Sequence, residues 1–215
     1  CERFGADGIT IHPRPDQRHI RYSDIPALKE VVRTELNIEG NPTKDFIQKV
    51  IMYKPHQCTL VPDSPSALTS DQGWNTIEEK VFLTEVVTEL KKAGIRVSIF
   101  VDASPLMVEG AATIGADRIE FYTGPYAAQF KADPVKAILA HEEAAHVANA
   151  LKIGVNAGHD LNLENLRYYA QKLPNLLEVS IGHALVCDAL YYGLSNVISM
   201  YQHQLRPQAI RLDDH

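Results

Sequence analysis

Strand-like and helix-like segments alternate along this chain of 215 residues, and the alternation predicts an α/β fold built on a parallel sheet. Seven runs rich in β-branched residues recur at 8–12 (GITIH), 35–40 (ELNIEG), 57–62 (QCTLVP), 96–101 (RVSIFV), 118–123 (RIEFYT), 154–158 (GVNAG) and 178–183 (EVSIGH). Helical patterns fill the gaps, as parallel neighbours require. Most runs carry one apolar alternating set: Ile9 and Ile11; Leu36 and Ile38; Val97, Ile99 and Val101; Ile119 and Phe121; Val179 and Ile181. The opposite set is polar: Thr10 and His12; Asn37 and Glu39; Ser98; Glu120 and Tyr122; Asn156; Ser180. An open sheet covered on both faces reads as nearly continuous hydrophobics, so one polar face points instead to a barrel interior. The polar groups also gather toward strand C-terminal ends, where a barrel carries its active site.

A glycine stands where each helix should stop. Gly5, Gly94, Gly115 and Gly154 each precede a strand, and glycine is the usual residue just past a helix end. GADGIT (5–10) matches GADRIE (115–120), so residues 1–4 read as a helix tail, which implies an earlier strand. Seven visible strands and one missing strand give the (β/α)₈ TIM barrel, with 1–215 as a single domain that is N-terminally incomplete. The rival is an open doubly wound sheet. It loses support because the chain has neither GxGxxG nor GxxxxGK[ST].

The helices have their own signals. Over 77–93, Ile77, Val81, Phe82, Val86 and Leu90 fall at helical spacing, with Thr76 and Glu79 as a capping box. Ser104-Pro105 and Asp133-Pro134 read as N-caps followed by proline in the first turn. Leu190, Leu194, Val197, Ile198, Tyr201 and Leu205 form one stripe over 185–205. The loop 63–73 (DSPSALTSDQG) exceeds the usual connection of about 2–6 residues and is expected to close over a bound ligand.

Composition excludes several functions. A net charge of −6 argues against a nucleic-acid footprint. No apolar run approaches the roughly 18 residues of a membrane span. Cys1, Cys58 and Cys187 are odd in number and widely spaced, which fits a reducing cytoplasm rather than a disulfide framework or thiolate metal site.

Chemistry-bearing residues sit at the strand ends. His12 opens HPRPDQRHI (12–20), which gathers Arg14, Arg18 and His19; a guanidinium grips phosphate or carboxylate with two parallel hydrogen bonds. The plain alternative is a solvated loop with a salt bridge to Asp16. Glu39 ends the next strand, and a carboxylate in a barrel mouth must be paired or have a perturbed pKa; it could simply partner an arginine. Glu120 lies deeper, so a buried structural role competes with chemistry. His159 follows the sixth strand, as a reactive group or a helix cap. SIGHA (180–184) runs through Gly182 into a helix N-terminus, whose N–H groups make an anion site. HEEAAH (141–146) is rejected as a zinc motif, since histidines five apart stand about 140° apart around a helix. His12, Glu39 and His159 as metal ligands remain a geometric alternative.

HPRPDQRHI, NIEGNP, TLVPD (59–63), VNAGHDL (155–161) and SIGHAL (180–185), in order and at matching spacing, resemble the pyridoxine 5'-phosphate synthase family of vitamin B6 biosynthesis. The resemblance implies a cytoplasmic TIM barrel assembled as an octamer of dimers, with no metal or organic cofactor. It implies condensation of 1-deoxy-D-xylulose 5-phosphate with 3-amino-2-oxopropyl phosphate to pyridoxine 5'-phosphate, phosphate and water. Under it, His12 and Glu39 are proton acceptors, His159 a proton donor and Glu120 a transition-state stabiliser. Arg14, His19 and Thr69 hold the deoxyxylulose phosphate; Asp160, Gly182 and His183 hold the aminoketone phosphate. Position 160 is glycine in many relatives. The family's first strand and following loop also contribute substrate ligands, which residues 1–215 lack. Two other readings use the same residues: another phosphate-binding barrel enzyme of the sugar-phosphate epimerase type, and a non-catalytic phosphate-ligand-binding barrel.

Overall fold

The computed structural model describes residues 1–63 and 69–206. After a 3₁₀ turn (Glu2–Phe4), the elements run β1 (Gly8–Ile11), α1 (Asp24–Val31), β2 (Glu35–Gly40), α2 (Lys44–Tyr53), β3 (Gln57–Leu60), α3 (Lys80–Lys92), β4 (Arg96–Val101) and α4 (Pro105–Ile114). They continue with β5 (Arg118–Tyr122), α5 (Gly124–Phe130), α6 (Pro134–Ala150), β6 (Gly154–Gly158), α7 (Leu166–Lys172), β7 (Leu176–Ser180), α8 (His183–Tyr192) and α9 (Leu194–Leu205). The seven strands pair in parallel in chain order, β1 to β7, and curl into a nearly closed barrel. Six strand pairings follow in unbroken order, so the open doubly wound alternative, whose strand order reverses at a switch point, is set aside.

The parity expectation holds. Leu36, Ile38, Val97, Ile99, Ile119 and Phe121 are each at most 1% exposed in the core beneath the helices. The polar set faces inward, because its hydrogen bonds join strands that are not neighbours. Arg96 on β4 pairs with Glu35 on β2, and Arg118 on β5 donates to Glu178 on β7 at 2.7 Å. The Thr59 hydroxyl of β3 lies 3.5 Å from Glu120 Oε2 of β5. Thr10 and Ser180 hydroxyls meet at 3.5 Å, linking β1 and β7 across the interior. Such contacts can only pass through the lumen of a curled sheet.

An eighth strand is not among the described residues, and β1 and β7 are the edges of the sheet. This side is the least covered. α8 has no buried residue, and Leu190 and Tyr191 are more than four-fifths exposed.

Four local expectations need correction. Thr76 and Glu79 form no capping box: the Thr76 hydroxyl donates to the Met107 carbonyl, and Asn75 Oδ1 instead accepts from the Ile77 and Glu78 N–H groups. The helix therefore starts later, and Ile77, Val81 and Phe82 are exposed while Leu83, Val86, Val87 and Leu90 are buried. The stripe over 185–205 is two helices. Gly193, at φ +79° and ψ 143°, breaks it, so Val197, Ile198 and Tyr201 are buried but Leu190 is not. Gly154 already belongs to β6, and the left-handed residue before it is Lys152. The last strand lies two to three residues earlier than read, at Leu176–Ser180. Gly5, Gly94 and Gly115 do take the left-handed conformation, Asp133 caps α6 through Lys136 N, and prolines sit in the first turns of α4 and α6. No helix among the described residues is long and apolar enough to cross a membrane.

Candidate active site

The barrel brings His12, Glu39, Glu120 and His159 together from four strands. His12 directly follows β1, and its Nδ1 lies 3.8 Å from Glu39 Oε2 near the end of β2. Glu120 is buried at the centre of β5. A side chain at Gly158 would place its Cβ 2.1 Å from Glu120 Oε1, so only glycine at the end of β6 leaves room for that carboxyl. His159 follows in left-handed backbone, φ +72°. Its carbonyl accepts the Thr123 hydroxyl at 2.5 Å, and its ring packs on Phe100 and Tyr122 with centroids 5.2 and 5.7 Å away.

Burial sets the protonation states. Loss of solvent pushes the Glu39 carboxyl up to about 8, reinforced by the charges of Glu178 and Asp63 and opposed by Arg14. Glu120 is driven well above the carboxylate range by burial, with Glu39 and Glu178 adding to it. Burial depresses His12 to about 3, aided by Arg14 and the neighbouring histidines. His159 is lowered by burial too, with Asp160 and Asp63 pulling the other way. The spacing of His12 and Glu39 is that of an ion pair, yet both members favour their neutral forms near pH 7, because loss of solvent is the largest influence on each.

Two elements that the sequence marks as candidate anion sites flank this cluster. Arg14 is held in the turn HPRP, where its N–H donates to the His12 carbonyl at 2.9 Å. Its Nη2 lies 3.0 Å from Asp63 Oδ2. The salt bridge to Asp16 belongs to Arg18. Opposite, Gly182 is the N-cap of α8 and His183 its first residue. The His19 and His183 rings approach to 6.4 Å, so the two elements meet across the gap between β1 and β7. Asp160 is exposed at φ +36°, and its carbonyl accepts from Asn165 Nδ2 at 3.1 Å. Thr69 is exposed beside Ser70. The centre of the expected lid, 64–68, lies outside the described residues.

In HEEAAH, His141 is buried among Phe121, Tyr126 and Tyr169 while His146 is exposed, so the two imidazoles do not converge. Among the described residues, no three His, Cys, Asp or Glu side chains are grouped closely enough to hold a metal ion.

The family model for the pyridoxal phosphate biosynthesis protein PdxJ matches residues 1–207. The chain belongs to the PdxJ family. The pyridoxine 5'-phosphate synthase of Cytophaga hutchinsonii is 59% identical over 206 residues, covering 96% of this chain and 87% of that protein. Those of Bacteroides fragilis and Flavobacterium johnsoniae are 56% and 53% identical over 206 and 205 residues, covering 96% and 95% of this chain and 87% and 86% of theirs. Among solved structures, a 4-hydroxy-2-oxoglutarate aldolase/2-deydro-3-deoxyphosphogluconate aldolase superposes with a TM-score of 0.64 at 19% identity, over 95% of this chain and 84% of that one. At that identity the likeness speaks to the barrel alone.

Within this PdxJ chain, three residues to which the sequence assigned no role contribute to the site. Phe100 and Tyr122 wall the His159 ring, and Asp63 pairs with Arg14. Tyr122 carries the inward parity of its strand. Asp63 follows the end of β3 by three residues, a position of the same kind as those of His12 and Glu39.

Proposed function

We propose that this chain is a pyridoxine 5'-phosphate synthase, condensing 1-deoxy-D-xylulose 5-phosphate with 3-amino-2-oxopropyl phosphate to pyridoxine 5'-phosphate, inorganic phosphate and water. The observation that carries the reading is a cluster of two buried carboxyls and two half-buried histidines, set between the Arg14 turn and the N-terminus of α8. The reaction needs that combination. An amine adds to a ketone, water and phosphate leave, and an aromatic ring closes, so protons move at every step while two phosphates are held.

In this reading Arg14, His19 and Thr69 hold the sugar phosphate, and Asp160, Gly182 and His183 hold the aminoketone phosphate. Glu39 and His12 accept protons. A carboxyl near 8 is a far stronger base, once ionised, than an ordinary carboxylate, and it stays close to the working pH. His159 donates; a phosphate dianion arriving beside it favours the imidazolium that can do so. Glu120, neutral in its buried setting, offers a hydrogen bond to negative charge developing in the transition state.

Turnover should require both substrates and persist with a chelator present. Turnover of a single sugar phosphate would favour the epimerase reading, and tight binding without turnover a non-catalytic barrel. The same reading places the enzyme in the cytoplasm as an octamer built from dimers, and sedimentation of the purified protein tests the octamer. It also places an eighth strand between β1 and β7. Its support is the pair of unpaired parallel edges there, which proteins normally cover.

A further inference from the structure

We propose that Asp63 is a positioning residue that, together with Ser70, fixes the direction of the Arg14 guanidinium. The inference rests on the reading of Arg14 as a ligand of the sugar phosphate. Arg14 and Asp63 are both buried, at 6% and 8% exposure. A buried charge is tolerated only when paired, and their oxygen and nitrogen lie 3.0 Å apart. The Ser70 hydroxyl closes a triangle: it donates to Asp63 Oδ2 at 2.5 Å and accepts from Arg14 Nη2 at 3.4 Å.

The backbone of Arg14 is fixed separately. Pro13 and Pro15 restrict the dihedrals on either side of it, and the turn closes through Gln17 N to the Arg14 carbonyl at 2.8 Å. Side chain and main chain are thus held by different means. A guanidinium has five N–H donors in a rigid plane, so a carboxylate on one terminal nitrogen sets the plane in which the fork meets an anion. Holding that plane before the substrate arrives removes an ordering cost from binding. Asp63 and Ser70 also stand on either side of 64–68, so the same triangle ties two points of the β3–α3 connection to the Arg14 turn.

The test is steady-state kinetics of the full-length enzyme carrying Asp63→Asn, Asp63→Glu, Arg14→Ala, and Asp63→Asn with Arg14→Ala, each with a thermal melt. Asp63→Asn keeps the size and removes the charge. It should raise KM for the sugar phosphate about tenfold or more, with kcat and the aminoketone phosphate KM within about twofold. Asp63→Glu should recover part of the loss. In the Arg14→Ala background, Asp63→Asn should add little, because the group it orients is gone. If Arg14→Ala raises that KM and Asp63→Asn does not, or if the two effects multiply, the positioning role is overturned and the reading of Arg14 stands. If Arg14→Ala leaves the KM unchanged, both fall. Should Asp63→Asn fail to fold, Ser70→Ala removes one side of the triangle without exposing a charge; a several-fold rise in the same KM supports the role, and an unchanged KM overturns it.

Discussion

Glu39 concentrates the conflict between folding and chemistry. Its carboxyl is raised to about 8 by burial, so the folded protein keeps a proton that the unfolded chain releases above the ordinary value of 4.5. A raised folded-state pKa gives stability that is present below 4.5 and lost as pH climbs through about 8. Glu39→Gln therefore should stabilise the protein near neutrality, by on the order of 1 kcal/mol or more, while cutting turnover about 10²–10⁴-fold. Urea unfolding at pH 5 and pH 8 beside an activity assay checks both halves; wild-type turnover would reduce Glu39 to a structural carboxyl. His159→Ala should lower kcat, whereas Arg14→Ala should chiefly raise KM for the sugar phosphate, and equal effects on binding alone would defeat that division. At position 160 the side chain is exposed and the backbone left-handed. Asp160→Gly should leave the aminoketone phosphate KM unchanged if the ligand meets the main chain there. His12, Glu39 and Glu120 were legible because a strand's period of two assigns each side chain to a face. The partnership of Asp63 with Arg14 was not, because it joins two loops whose approach depends on closure of the whole sheet.

At the level of elements, strand order, inward parity and the proline-marked starts of α4 and α6 could be read from the sequence, and the start of α3 could not. Thr76 and Glu79 have the spacing of a capping box, but a tertiary partner, the Met107 carbonyl, takes the threonine hydroxyl. The periodic stripe through Leu190 to Leu205 likewise gives no sign that Gly193 turns the chain out of one helix and into another. The strand ends show the opposite case, where one small residue serves the site. An added methyl at Gly158 meets the Glu120 carboxyl, which is packed on every side. Gly158→Ala should cost about 1–3 kcal/mol, and it should displace Glu120 and depress kcat. Denaturant midpoints and turnover measured together check it; a variant with unchanged stability and kcat would mean that Glu120 has room to move.

Across the whole molecule, histidines held neutral by loss of solvent should weaken the fold in acid. His141, enclosed by Phe121, Tyr126 and Tyr169, is lowered to about 4, and His12 to about 3. A lowered folded-state pKa means that the unfolded chain takes up protons first as pH falls below 6.5. Each such histidine should then contribute a loss of about 1.4 kcal/mol per pH unit between about 6.5 and 4, against the opposite contribution of the raised carboxyls of Glu39 and Glu120. His141→Leu should flatten that slope by one histidine's share, as read from urea unfolding across this range; an unchanged slope would place the acid sensitivity elsewhere. The curled sheet is what brings His12, Glu39, Glu120 and His159 together, and the proposed reading sets them between two phosphates. The most direct measurement is product identity: the full-length protein, supplied with both phosphorylated substrates, with pyridoxine 5'-phosphate and inorganic phosphate quantified together. One pyridoxine 5'-phosphate for each phosphate released by the condensation is the result this account requires. Phosphate release without pyridoxine 5'-phosphate, or product formed with either substrate omitted, would contradict it.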